Sequence, residues 1–271
     1  MRINGQEVAA ISVIVPCFRC RDTIKRALDS ILAQTRPVAQ IILVDDASGD
    51  DTFALLAQLV KLDEQRIQVL ALPKNRGPGG ARNAGWDMAT QPWLAFLDAD
   101  DVWHPQKIEI QFGWLEKQSA VDLCAHEYSQ WNEALNKITP DWLEPFQLSV
   151  YPILFKNPIP TRSVIMRKDV PYRFGEKMRA EDYLLWLSLA LSDKKLWKLP
   201  IQLAFTFRPE FSADGYSGNL IVHERCELGV FKILYQSKLL ALPVYLSASL
   251  FSLLKFVRRC VIRSMRRFVG V

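Results

Sequence analysis

Apolar positions along the chain follow two rhythms. Residues 11–15 (ISVIV) and 41–44 (IILV) are continuous, largely β-branched runs closed by Pro16 and by Asp45 and Asp46, and both predict strands buried on each face. Residues 67–72 and 93–97 predict two more strands. Between the first two runs, Ile24, Ala27, Leu28, Ile31 and Leu32 fall on one face of a helix over 23–34. Phe53, Leu55, Leu56, Leu59 and Val60 repeat that spacing over 52–62. Strand alternating with helix predicts an α/β fold, a doubly wound, Rossmann-like, mostly parallel sheet with helices on both faces. Helices are also predicted over 106–115, next to Pro105, and over 180–191, opened by Glu181 and Asp182. Residues 121–173 are broken by Pro140, Pro145, Pro152, Pro158 and Pro160 and predict irregular strands and loops.

Ligands of such sheets gather beyond the carboxyl ends of the strands. Four clusters fall there: Pro16-Cys17-Phe18, Asp45-Asp46-Ala47-Ser48, the glycine-rich run from Asn75 to Arg82, and Asp98-Ala99-Asp100-Asp101. In an extended segment Asp98 and Asp100 point the same way, with Asp101 turning off the strand end. Three close carboxylates repel one another unless cations or donors compensate them, and their hard oxygens suit Mg2+ or Mn2+ beside a diphosphate. The plainer alternative is a solvated acidic turn before the next helix. Asp46 can accept hydrogen bonds from a base or ribose, while Ser48 and Asp50 read as caps of the helix at 52. The glycine run lacks both dinucleotide and P-loop spacing, yet a glycine loop entering a helix near Arg82 suits a phosphate.

Composition narrows the class further. The chain has 271 residues, of which 49% are hydrophobic and 23% charged, enough to bury a core and against disorder. A net charge of +5 hides an asymmetry: residues 228–271 hold eight Lys or Arg and no acid, while the other 227 carry 26 basic and 29 acidic side chains. The tail therefore suits an anionic surface. Five cysteines form no framework and residues 1–10 are too polar for a leader, so a reducing compartment is expected. Cys17 and Cys20 form a lone C-x-x-C, read as incidental thiols. His104, His126 and His223 lack metal spacing, and Trp103, Trp114, Trp131, Trp142 and Trp186 read as core rather than sugar platforms.

Five motifs in order resemble a family 2 glycosyltransferase of the GT-A fold. They are V-P-x-F (Val15, Pro16, Phe18), V-D-D-x-S (Val44 to Ser48), N-x-G with A-R-N (Asn75, Gly77, Ala81, Arg82, Asn83), F-L-D-A-D-D (Phe96 to Asp101) and E-D-x-x-x-W (Glu181, Asp182, Trp186). The resemblance covers residues 11–190. It implies Pro16 and Phe18 around a nucleotide, Asp46 on the base, Arg82 near the donor, Asp98 on the ribose, and Asp100 or Asp101 on Mn2+ or Mg2+. It implies Asp182 as the general base of an inverting transfer. Phe18-Arg19 stands where the family often has Tyr-Asn, which leaves the contacts of the first turn open. Without a downstream Q-x-x-R-W or several membrane spans, the implied enzyme adds one sugar, from a nucleotide sugar (UDP) to a glycan or lipid-linked acceptor. The expected division is residues 1–104 for the donor, 105–218 for the acceptor and 219–271 as a C-terminal helical extension. Rival readings are a sugar-phosphate nucleotidyltransferase and a noncatalytic binding module.

The extension has its own pattern. Residues 239–254 are uncharged but too short, with Pro243 inside, to span a bilayer. Lys255, Arg258, Arg259, Arg263, Arg266 and Arg267 then read as one basic face opposite Phe256, Val257, Cys260, Val261, Met265 and Phe268. An amphipathic helix resting on anionic lipid at the inner face of the cell membrane is expected, the body being cytoplasmic; a helix packed on the body is the alternative. No nucleic-acid recognition module appears.

Overall fold

The computed structural model describes residues 2–3, 5–132, 144–207 and 220–269. Trp142 and Pro140 lie outside them. In chain order the elements are β1 (Arg2–Ile3), β2 (Gln6–Glu7), β3 (Ala9–Cys17), α1 (Ile24–Leu32), β4 (Val38–Asp45), α2 (Thr52–Leu59), β5 (Ile67–Ala71), α3 (Gly77–Met88), β6 (Trp93–Phe96), β7 (Asp101–Trp103) and α4 (Lys107–Leu115). They continue as β8 (Leu123–Gln130), β9 (Phe146–Gln147), α5 (Val150–Phe155), β10 (Ile165–Arg167), α6 (Glu181–Leu191), β11 (Leu196–Thr206), α7 (Leu220–Gln236) and α8 (Leu242–Val269).

β1 and β2 make a small hairpin, and the other nine strands form one sheet in the order β5-β4-β3-β6-β10-β8-β11-β7, with β9 also on β11. The first four are parallel, as the β-branched runs require. β10 then runs antiparallel between β6 and β8. The chain steps outward from β3 to β5 and returns past β3 to β6. A crevice therefore opens between the carboxyl ends of β3 and β6, at the switch point of the sheet. Side chains alternate across the sheet. Ile11, Val13 and Val15 pack with α1, α2 and α4, whereas Ile14 joins a core built with α3, α6 and α7.

The elements differ from the sequence reading in places that have local causes. β3 runs through Pro16 to Cys17 rather than stopping at it. Ile14 O is bonded from Leu97 N–H on the β6 side and Cys17 O from Asp46 N–H on the β4 side, so the missing donor of Pro16 faces the side where β6 has ended. Pro152 lies within the first turn of α5, in the stretch expected to be irregular. β11, which the sequence did not signal, carries Pro200 and two register shifts that disrupt its alternation.

The C-terminal helix also departs from expectation. Lys255 and Arg259 point inward, paired with Glu227 and Glu224 of α7, and the outward side of α8 carries an apolar stripe with Arg258 exposed beside it, while the side chains of Arg263, Arg266, Arg267 and Phe268 lie outside those described. The positive charge of Lys255 and Arg259 is offset by two buried acids that the tail-only charge count left out.

Candidate active site

α3 organises the crevice. Gly77, Gly79 and Gly80 form its first turn, with Pro78 among them, so the glycine run is part of the helix rather than a loop before it. Residues 79, 82, 83 and 86 share one face at spacings of three and four. A Cβ on Gly79 would strike the backbone oxygen of Gly175 and press on Glu181, so only glycine allows that approach. Asn83 exchanges two hydrogen bonds with Phe174, donating from Nδ2 (2.9 Å) and accepting at Oδ1 (3.1 Å). Trp86 Nε1 donates to Lys168 O at 3.0 Å. The A-R-N segment and Trp86 thus fasten α3 to the segment leading into α6.

Arg82 is the centre of that fastening. Its Nη2 lies 2.6 Å from Asp98 Oδ1 and its Nη1 2.9 Å from Glu181 Oε1, with the guanidinium side chain 5% exposed. Burial works against its charge, but Asp98 and Glu181 outweigh it and hold the guanidinium charged above its ordinary value. Glu181 is raised by its own burial against the pull of Arg82. Arg82, expected near the donor, is therefore inside the wall, where it joins the end of β6 to the start of α6.

Asp182 sits next to that joint. Its Oδ2 accepts from Thr161 Oγ1 (3.2 Å) and Asn157 Nδ2 (3.3 Å), and its Oδ1 from Tyr183 N–H (2.7 Å). Burial raises its pKa, with Arg82 and the Tyr183 amide pulling it down. The preceding Ala180 holds a left-handed backbone, φ 60°, which directs the chain into the helix. Arg19 (φ 49°) and Ala47 (φ 54°) do the same in the loops after β3 and β4. Non-glycine residues rarely accept this geometry, and here three of them line one rim.

The aspartates of the fourth cluster divide. Asp98 is partly exposed beside Arg82, and Asp100 is partly exposed in the turn, its carbonyl accepting from Arg26 at 3.2 Å. Asp101 opens β7 and is buried, its Oδ1 2.9 Å from Arg162 Nη1. Burial pushes its pKa up to about 8, with Arg162 opposing. Asp98 and Asp100 are thus reachable from the crevice. Among the described residues no group of three or more His, Cys, Asp or Glu converges as a cation site. Two reachable carboxylates fit a hard divalent ion when a bound diphosphate completes the oxygen set.

The remaining candidates lie around the same rim. Asp46 is buried and accepts the Arg76 N–H at Oδ1 (2.7 Å), which ties the loop after β4 to the start of α3. Its pKa is raised by burial, against the hydrogen bonds from Arg76 and Gly77. Ser48, expected as a cap, instead bonds Asp45 and takes the Arg19 N–H at 3.1 Å, joining the first two loops. Asp50 does bond the Thr52 N–H, at 2.9 Å. Phe18 is exposed with the Arg19 guanidinium 5.3 Å over its ring, and Pro16 sits inside β3. Cys17 and Cys20 are buried free thiols. His104 and His126 are buried, as are Trp103 and Trp186, while Trp131 stacks on Phe207. Asn157, Thr161 and Arg162 were not signalled by sequence; they lie in the proline-broken stretch, where no periodicity marks a site.

An α/β sheet with reachable aspartates at its switch point, faced by a second acidic helix start, defines a fold of the GT-A type. Residues 12–171 match the model described as "Glycosyl transferase family 2", and the chain belongs to that family. It is 33% identical over 199 residues to the succinoglycan biosynthesis protein ExoO of Rhizobium meliloti, covering 67% of this chain and 56% of that one. It is 30% identical over 183 residues to WfaP of Escherichia coli, a UDP-Glc:alpha-D-GlcNAc-diphosphoundecaprenol beta-1,3-glucosyltransferase, covering 66% and 69%. This chain thus spans little more than half the length of ExoO. Among solved structures, the mannosyltransferase PcManGT of Pyrobaculum calidifontis with GDP-Man and Mn2+ aligns with TM-score 0.66 at 16% identity, over 97% of this chain and 81% of that one. At that identity the likeness is one of fold.

Proposed function

We propose that this chain transfers one sugar, with inversion, from a nucleotide-diphosphate sugar (UDP) to a hydroxyl of a glycan or lipid-linked acceptor in cell-surface polysaccharide synthesis. The observation that carries the reading is the Arg82 bridge, which brings the Asp98 end of β6 and the Asp182 end of α6 to one crevice. On this reading Pro16 and Phe18 border the nucleotide, Asp46 reads the base with the lone pairs left by Arg76, and Asp98 holds the ribose. Arg82 acts through Asp98 and Glu181 rather than on the donor itself. Asp100 is the metal ligand of choice, because Asp101 is committed to Arg162.

Asp182 takes the proton of the acceptor hydroxyl as that oxygen bonds the anomeric carbon and the bond from this carbon to the diphosphate oxygen breaks. The proton stays on the carboxylate, and the negative charge leaves with the nucleoside diphosphate. Burial favours this role, since a carboxylate with a raised pKa is a stronger base. Thr161 and Asn157 fix its orientation. When bound, a divalent cation supplies neutralisation of the departing diphosphate.

The lipid-linked acceptor is suggested by the substrate named for WfaP. It agrees with a basic C-terminal extension at the inner face of the membrane, and no helix among the described residues is long and apolar enough to cross one. The test is a panel of nucleotide sugars with and without Mn2+, read by thermal stabilisation and then by release of nucleotide. One nucleotide series should stabilise the protein in Mn2+ and release nucleoside diphosphate slowly. Pyrophosphate release would mean a nucleotidyltransferase, and binding without turnover a noncatalytic module.

A further inference from the structure

Two features of α8 do not belong to the site above. First, Leu246, Leu250, Leu254, Val257, Val261 and Met265 recur every three or four residues, and each is 52 to 62% exposed. At 100° per residue they form one continuous stripe on the side away from the body. A contiguous apolar stripe of this length on a protein surface marks a contact with something apolar. Second, the described charged side chains of the helix, Lys255, Arg258 and Arg259, lie off that stripe. Lys255 Nζ lies 2.7 Å from Glu227 Oε1 and 2.8 Å from Phe155 O, and Arg259 Nη2 lies 2.9 Å from Glu224 Oε2. Arg258 is exposed beside the stripe and, with Lys255, Arg259 and Ile262, lines a groove of about 340 Å3.

We infer that α8 lies in the plane of an anionic lipid bilayer, with the 246–265 stripe turned into the acyl boundary and the cationic groove at headgroup depth. Charge complementarity selects this occupant: with Lys255 and Arg259 paired to Glu227 and Glu224, the charged side chains left exposed among those described on α7, α8 and the turn between them, Arg225, Lys232, Lys238 and Arg258, are all basic. A second protein copy would bring the same positive charge against itself. The inference rests on and deepens the membrane reading proposed above: it keeps Val257, Val261 and Met265 on the lipid side, extends that side back to Leu246, and turns Lys255 and Arg259 inward. It also links membrane and crevice. Lys255 holds the end of α5, and Asn157, two residues beyond that end, donates to Asp182.

The test floats the full chain with vesicles of phosphatidylcholine plus phosphatidylglycerol and of phosphatidylcholine alone. The exposed pair Leu250→Glu/Leu254→Glu should lower the vesicle-bound fraction about tenfold or more. Melting temperature and donor hydrolysis in water should stay unchanged. Arg258→Glu should lower binding less, and only to the anionic vesicles at low salt. Transfer to a lipid-linked acceptor should fall in the double variant while transfer to a water-soluble analogue does not. Undiminished flotation of the double variant overturns the inference. So does a native dimer, seen by light scattering, that the double variant splits while neither binds vesicles. Lost donor turnover with vesicle binding intact would sink the transferase reading instead and leave the anchor standing.

Discussion

Asp98 and Asp101 stand three residues apart in one motif, each beside an arginine, yet their surroundings differ. The Asp98 side chain is 29% exposed and opens on the crevice with Arg82 behind it. The Asp101 side chain is 2% exposed, and its Arg162 comes from a segment far along the chain. The first pairing keeps a partly exposed carboxylate at the rim; the second holds a buried one in the wall. Acidic motifs at strand ends should thus be read residue by residue, by asking which oxygens the protein itself already occupies.

The comparison can be broken most forcefully at Arg82. Arg82→Met leaves Asp98 and Glu181 without their cation, and removing one partner of a buried pair costs about 3 to 5 kcal/mol. The melting temperature should fall by roughly 10 °C, and donor binding should fall with it as Asp98 loses its support. An unchanged melting curve would mean that the bridge does not join the two halves.

Asp101→Asn sharpens the other arm. Because burial raises the folded pKa to about 8, above the unfolded value of about 4, the folded chain holds a proton that the unfolded chain has released between those values. Wild-type stability should therefore decline as pH rises through this window and level off above it. The asparagine cannot ionise, so the variant should gain on the wild type across the same window, by up to about 1.4 kcal/mol per pH unit. Melting temperatures of both proteins against pH give the comparison, and parallel curves would count against it. Donor affinity in Mn2+ should be the same in both, whereas Asp100→Ala should lower it.

The smallest effect belongs to Arg76 and Glu176, an exposed pair on the outer edge of the same rim. Arg76→Met should cost under about 1 kcal/mol in chemical denaturation, and less in high salt. A loss as large as that at Arg82 would erase the distinction between buried and exposed pairing.

The parallel half was legible because its signals are local: β3 and β4 are β-branched runs, and their loops follow directly in sequence. The five motifs also named Asp98, Arg82 and Asp182, which the fold brings close together around the Arg82 bridge. What stayed hidden depends on distant partners. Nothing in the spacing pairs Arg162 with Asp101, or places Thr161 and Asn157 on Asp182, and the prolines around them erase periodicity. Gly77, Gly79 and Gly80 suggested a loop suited to a phosphate, and close packing of Gly79 on Gly175 explains the need for no side chain at 79. For α8 the helix was legible but its outer face was not, because Lys255 and Arg259 turn toward acids on α7 that lie outside the tail.

The account rests on Asp182 acting as proton acceptor in a crevice that binds the donor independently of it. Asp182→Asn should be measured for sugar transfer and for donor affinity in Mn2+ on one preparation. Transfer should fall about a hundredfold to ten-thousandfold while affinity holds. Transfer that persists, or a loss of affinity that matches the loss of transfer, would contradict it.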